Sequence, residues 1–344
     1  MNPRSPEALA SGIRRGERLA LARGITLVES ERPQDWPLAE ALLTALLEAG
    51  ERAHRIGISG VPGAGKSSLV ETLGLHLVEG CGRRVAVLAI DPSSTVSGGS
   101  LLGDKSRMHL LAQHPSAYVR PSPNAAHLGG VARRTREAAR LCSAAGYDLV
   151  LIETVGVGQA EIEVAGMVDF FLVLALAGAG DELQGIKRGI LELADAVAVN
   201  KADGPNRAPA EAYAAMLAGA LHTLRPLEDP PPKVLAVSAH SGHGIAELWT
   251  EVEARLASRR ASGEFEARRR LQRRAWFQAE VGLALERALR SSPRALELRA
   301  ALEQQVEAGQ ASAGAAARRL LESLLPGAVP GGGGPGGSGL ELVP

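Results

Sequence analysis

Among 344 residues there are only two cysteines, Cys81 and Cys142. Neither stands in a CxxC spacing or a Cys/His cluster, so no disulfide framework is expected. Both read as small buried apolar side chains of a protein kept in a reducing cytoplasm. Net charge is missing too, because 38 basic and 38 acidic side chains cancel. A dedicated nucleic-acid binder carries a basic surplus to neutralise phosphates, so no nucleic-acid partner is expected. No uncharged apolar run reaches the roughly 18 residues of a membrane-spanning helix. The most apolar stretch, 167–180, contains Asp169 and reads as a buried strand. The first residues carry arginines together with Glu7 and Glu17 and lack an apolar core segment, so no secretory signal is expected. What remains, 45% apolar and 22% charged, is an ordinary soluble composition in a chain long enough for about two domains.

Residues 5–50 read as helical. Leu9, Ile13 and Ala20 mark a first helix, weakened by Gly12 and Gly16. Leu38, Ala41, Leu42, Ala45, Leu46 and Ala49 follow the i, i+3, i+4, i+7 pattern of a second, which Gly50 closes. From His54 the pattern changes to short apolar runs at 55–59, 85–90, 149–152, 170–175, 196–199 and 234–237. They lack polar alternation, as strands covered on both faces do, and longer helical segments separate them. That succession predicts an α/β fold with a mostly parallel sheet flanked by helices. Past residue 262 the strand pattern stops. An Ala-, Leu-, Arg- and Glu-rich stretch, 264–325, broken near Ser291–Pro293 and Gly309, predicts two or three helices. The expected division is a helical extension at 1–50, an α/β domain at 51–262, a helical arm at 263–325 and a disordered Gly/Pro-rich tail at 326–344. The arginines at 268–274 read as a solvated or dimer-facing stripe, not a membrane contact.

The segment Gly60, Val61, Pro62, Gly63, Ala64, Gly65, Lys66, Ser67 fits GxxxxGK[ST] and stands between a strand and a helix. Its glycines permit a tight wrap with backbone N–H groups pointing inward, and the helix N-terminus adds partial positive charge. Lys66 is expected to reach the β- and γ-phosphates, and Ser67, followed by Ser68, to offer its hydroxyl to Mg²⁺. Asp91 ends one strand, on the ligand side of such a sheet. Glu153 ends another and opens an ExxG element whose Gly156 N–H is placed to sense the γ-phosphate. Asn200-Lys201-Ala202-Asp203 matches NKxD. Its aspartate accepts from guanine N1–H and the exocyclic amine; adenine offers no such donor pair and would leave the carboxylate unpaired. Ser238-Ala239-His240, after the next strand, matches the loop whose backbone contacts guanine O6. The residues therefore predict a GTP and GDP site.

These elements, with the segments 89–94, 103–108 and 153–159, resemble the methylmalonyl-CoA mutase-associated GTPases called MeaB or ArgK. The likeness runs from Ala20–Ser30 through the C-terminal helices. The resemblance implies a GTP-hydrolysing chaperone of an adenosylcobalamin-dependent acyl-CoA mutase, methylmalonyl-CoA mutase by default. Such a chaperone gates cofactor loading and limits inactivation. It also implies a homodimer built through helical extensions, and an acidic network of Asp91, Asp104 and Glu153 around Mg²⁺. The loop 180–187 resembles the family's additional switch, with Gln184 and Lys187 as its residues to test. Val157 follows Gly156 where many signalling GTPases carry a water-orienting glutamine, which predicts slow intrinsic hydrolysis. Two other readings compete. A nickel or zinc metallochaperone needs clustered soft or imidazole ligands, and the two cysteines and eight histidines are scattered. An ATPase or kinase serving amino-acid transport conflicts with NKxD. Four methionines are too few for a Met-rich peptide-binding region of the protein-targeting kind.

Overall fold

A computed structural model describes residues 5–91, 108–123, 128–154, 160–178, 188–225 and 231–324. The chain divides into two compact units, residues 1–272 and 273–344.

The first unit is built on seven strands: β1 (His54–Gly60), β2 (Val85–Asp91), β3 (Ala117–Pro123), β4 (Leu149–Glu153), β5 (Phe170–Leu176), β6 (Ala196–Asn200) and β7 (Lys233–Ala236). Their order is β3-β2-β4-β1-β5-β6-β7, and every neighbouring pair is parallel. All the C-terminal strand ends therefore face one edge. β1 lies between β4 and β5, with chain crossing to both sides, which is where open α/β sheets bind ligands. One strand escaped the sequence pattern. β3 contains Pro121 and Pro123, which remove ladder donors, and it lies at the sheet edge, where that loss is tolerated.

Both faces of the sheet are covered. On one, Ile56, Ile58, Leu151 and Leu172 pack with Leu69, Val70 and Leu73 of the helix Lys66–Leu75 and with Leu248, Trp249 and Val252 of the helix Ile245–Ala261. Each such burial is worth about 1.5–3 kcal/mol, so both helices are held where their N-termini meet the ligand edge. The N-terminal helices Pro6–Arg14, Arg18–Val28 and Trp36–Ala45 bury Leu9, Ile13, Leu21, Ile25 and Leu42. Gly16, at φ 73°, supplies the turn between the first two. Arg18 donates to the Ala117 carbonyl at 2.6 Å, and Arg120 of β3 pairs with Glu29.

At the N-terminal strand ends lies a buried ionic network. Asp169, just before β5, accepts from the Arg55 backbone N–H (2.8 Å), the Arg55 guanidinium (3.0 Å) and the Arg269 guanidinium (2.7 and 2.9 Å). Gln272 joins it, accepting from Arg55 and donating to the Val168 carbonyl, both at 2.8 Å. Asp195, just before β6, accepts from Phe171 N–H at 2.7 Å and from Arg259. Burial alone would raise the Asp169 pKa, but the hydrogen bonds and charges of Arg269 and Arg55 hold it well below the usual carboxylate range. Arg269 departs from the expected solvated or dimer-facing stripe: it is 5% exposed and inside the protein, whereas Arg270, Arg273 and Arg274 are exposed. The expectation for cysteines also needs correction. Cys142 is buried, its thiol pushed up to about 12 by burial, but Cys81 is exposed in the turn before β2.

The helices Glu264–Ser291, Pro293–Glu307 and Ala313–Leu324 follow. The first begins in the first unit and ends in the second. Ser292 caps the next through Ala295 N–H at 3.3 Å, with Pro293 in its first turn. Phe277, Val281 and Leu296 are exposed. Among the described residues no helix is long and apolar enough to cross a membrane. The segment expected to be a disordered tail, 326–344, lies outside the described residues.

Candidate functional site

The C-terminal edge gathers three loops around two adjoining cavities. Gly60 ends β1 with φ 151°, and a Cβ there would stand 2.3 Å from the Leu174 carbonyl oxygen of β5. Only glycine lets the loop leave the sheet so close to the neighbouring strand. Gly65 caps the following helix at φ 82°, ψ 34°, where a Cβ would meet Asn200 Nδ2 at 2.8 Å. The first i→i−4 bond of this helix runs from Leu69 N–H to Gly65 O at 2.9 Å. The amides of Lys66, Ser67 and Ser68 before it lie at the helix start, where no intrahelical acceptor exists. Ala64 is buried, Val61 half-buried, and Pro62 and Gly63 are exposed on the rim.

Lys66 is 8% exposed and folds back over its own loop, donating to the Gly60 and Val61 carbonyls at 2.9 and 3.2 Å. Burial draws its pKa below the ordinary lysine value, while the negative charges of Glu153 and Glu161 act the other way. Ser67 Oγ donates to Glu153 Oε1 at 2.6 Å, so the end of β4 meets the start of the helix here. Beneath them the Thr154 hydroxyl donates to Ser59 Oγ at 2.9 Å. Pro62, Gly63, Lys66, Ser67, Glu153 and Thr154 line a cavity of about 340 Å³.

A second cavity, about 460 Å³, shares Gly65 and Ser68 with the first and is bounded by Asn200, Lys201, Asp203, Ala239 and His240. Asn200 joins all three loops: Nδ2 donates to the Ala64 carbonyl at 2.7 Å, and Oδ1 accepts from Ala239 N–H at 3.0 Å. Lys201 is the one non-glycine residue with positive φ, 63°, among the described residues, and its side chain is exposed. Ala202 N–H to the Val237 carbonyl, 2.9 Å, holds this loop against the next. Ser238 Oγ donates to Asp203 Oδ2 and accepts from His240 and Ser241 N–H at 3.2 and 3.1 Å. The serine thereby fixes both the loop and the carboxylate it faces. Asp203 Oδ1 has no protein partner among the described residues.

The structure thus brings together Gly60–Ser68, Glu153, Asn200, Lys201, Asp203 and Ser238–His240 at one edge. Asp91 ends β2 on that same edge by backbone position. Asp104, Gly156, Gln184 and Lys187 lie outside the described residues. Two residues of the site were not singled out from the sequence. Thr72, five positions after Ser67, donates to the Ala239 carbonyl at 2.6 Å and ties the first helix to the third loop. Glu161, 2% exposed in the helix Ala160–Ala165, is a buried carboxylate whose Oε2 finds no hydrogen-bond donor among the described residues. An acidic residue in the first turn of a short apolar helix straight after ExxG was the available signal for the second.

A hydroxyl and a carboxylate in contact form the oxygen donor set that a hard divalent cation accepts, so Ser67 and Glu153 fit Mg²⁺. The cavity at the Gly60–Ser67 loop offers donors suited to a phosphate chain, and the one at Asn200, Lys201 and Asp203 offers a carboxylate suited to a base edge.

Residues 21–294 match the family model for the methylmalonyl-CoA mutase-associated GTPase MeaB. A probable GTPase of Mycobacterium tuberculosis is 52% identical over 317 residues, covering 92% of this chain and 94% of that protein. The mitochondrial methylmalonic aciduria type A homolog of Mus musculus is 44% identical over 329 residues, covering 92% and 79%. A crystal structure of an LAO/AO transport system kinase superposes with a TM-score of 0.72 at 35% identity, covering 94% of this chain and 99% of that one.

Proposed function

The chain belongs to the family of methylmalonyl-CoA mutase-associated GTPases, MeaB, and we propose that it serves as the GTP-hydrolysing chaperone of an adenosylcobalamin-dependent acyl-CoA mutase. Methylmalonyl-CoA mutase is the default client, with the GTPase gating cofactor loading and guarding the mutase against inactivation. The family match across residues 21–294, together with the Gly60–Ser68, Asn200–Asp203 and Ser238–His240 loops meeting at one edge, supports this reading. We place the protein in the cytoplasm as a homodimer joined through the helical arm at 263–325.

In the nucleotide cycle the amides at the start of the helix Lys66–Leu75 receive phosphate oxygens. Lys66 exchanges its two carbonyl acceptors for the β- and γ-phosphates, trading neutral partners for anions that also offset its burial. Asp203 reads the guanine edge, steadied by Ser238, and Asn200 keeps the base and phosphate loops in register. Mg²⁺ would be held by Ser67 and Glu153, with Asp91 and Asp104 completing the acidic network, and would supply neutralising charge at the phosphates. Gly156 senses the γ-phosphate. Gln184 and Lys187 belong to a switch loop that the mutase positions, and Val157 leaves the isolated protein a slow hydrolase.

Affinity capture from a native lysate, with and without a non-hydrolysable GTP analogue, tests the client. Recovery of a B12-dependent mutase supports the reading; recovery of urease or hydrogenase components alone overturns it. A second reading, a kinase of a transport system, is favoured by the solved relative of that name. Titrating GTP and ATP separates the two, since a transport kinase spending ATP would bind it at least as well as GTP.

A further inference from the structure

A cavity of about 960 Å³ lies at the other end of the sheet from the nucleotide. Its volume is that of a small-molecule site. Four arginines from separate segments meet there: Arg14, Arg52, Arg83 and Arg260, around His54 and Trp249.

The acids in the same wall do not cancel them. Glu253 is committed to Arg83 at 3.1 Å, and Asp148 accepts from Arg84 N–H at 2.7 Å. Arg14 donates to the Ala45 carbonyl. Arg260 stacks over the Phe265 ring at 5.2 Å. Neither Arg52 nor Arg260 has a carboxylate partner among the described residues, and Glu48 is the one acid left to offset them. His54 registers the excess. Burial first, then Arg260, Arg269 and Arg83 against Asp169, push its pKa down to about 4, so the ring is neutral.

Two buried donors or acceptors in this wall are also unanswered. Trp249 is 4% exposed, and among the described residues its indole N–H has no acceptor and His54 Nδ1 no partner. Buried polar groups are normally satisfied, and an exception asks for something absent from the protein itself. Indole N–H and guanidinium groups are donors only. Trp249, Leu256 and Tyr147 add an apolar and aromatic wall. Forked donors above an apolar wall suit an organic molecule with an oxyanion head, since guanidinium groups match phosphate and carboxylate in pairs of bonds.

We propose that this cavity is a second ligand site, separate from the nucleotide site, for a small organic anion whose phosphate or carboxylate group is held by Arg52 and Arg260. The protein is first saturated with GDP and Mg²⁺, which removes the nucleotide loop as a competing anion site. Trp36→Phe and Trp276→Phe leave Trp249 as the only indole. Pyrophosphate and citrate, one probe for each head group, are titrated while its emission is followed. A saturable change with at least one probe is expected, its midpoint independent of GDP concentration. Arg52→Gln with Arg260→Gln is expected to weaken that binding at least tenfold, and Arg52→Lys with Arg260→Lys to fall between. Both arginines are exposed and outside the nucleotide loops, so GTP turnover should be unchanged and reports that each variant is folded. No saturable response to either probe overturns the proposal. So does a response that survives the double glutamine variant, or one that excess GDP abolishes.

Discussion

The two edges of one parallel sheet use the same residue types in opposite ways. At the N-terminal edge Asp169 and Asp195 receive every bond they need from Arg55, Arg259, Arg269 and nearby backbone, and the network is closed. At the C-terminal edge Lys66 rests on two neutral carbonyls, and among the described residues Asp203 keeps one carboxylate oxygen unanswered and the helix-start amides have no acceptor. Charges satisfied within the chain stabilise it. Charges left short of partners are where a ligand supplies the difference, so polar groups at the two edges should fail in different assays when removed.

The largest contrast is expected at Asp203. Asp203→Ala removes the acceptor for two guanine donors, and the preference for GTP over ATP should collapse by up to about 10⁴-fold. Competitive titration of the two nucleotides measures it, with little change in the melting point of the nucleotide-free protein. Asp169→Asn should do the reverse. It strands Arg55 and Arg269 in the interior and should cost about 3–5 kcal/mol of stability, read by denaturant unfolding. The kcat/KM for GTP, measured where the variant is still folded, should stay within about twofold because no nucleotide contact is touched. The pH dependence follows from the sign of the shift. A carboxylate held below its ordinary value of 3.8 stabilises the fold above that pH and loses its contribution as acid protonates it. The acid limb of the stability curve should therefore be shallower in Asp169→Asn.

Lys66→Ala comes next. It should lower kcat by about 10²–10³-fold, the scale for removing one positioned donor from a developing anion. Burial opposes the charged form of this lysine, so the nucleotide-free melting point should hold or rise. The smallest effect belongs to His54. Its folded pKa of about 4 lies below the ordinary 6.5, so the unfolded chain takes up the proton first. Stability should fall between pH 6.5 and 4, and His54→Gln should flatten that segment of a pH–denaturation series without altering GTP turnover.

The two edges also differed in how far they could be read from the chain. The nucleotide edge is made of contiguous loops, each a short run such as Gly60–Ser67 or Asn200–Asp203 whose spacing has a local physical reason. The helix breaks at Gly50, Pro293 and Gly309 were legible for the same reason. The opposite edge is made of pairs: Arg55 meets Gln272 across 217 positions and Asp169 across 114. No local pattern announces such partners, and Arg269 read as one more solvated charge. β3 was missed because its two prolines contradict strand chemistry everywhere except at an edge, and edge placement is a property of the whole sheet. Glu161 was passed over because a single carboxylate in a short helix is ordinary until its burial is known.

Backbone hydrogen exchange, followed with and without a non-hydrolysable GTP analogue, tests the division of labour most directly. The amides of Lys66, Ser67 and Ser68 should slow sharply once phosphate oxygens accept from them. The amides of Arg55 and Phe171, already given to Asp169 and Asp195, should be slow at the start and stay so. Equal changes at both edges, or helix-start amides indifferent to the nucleotide, would contradict the account.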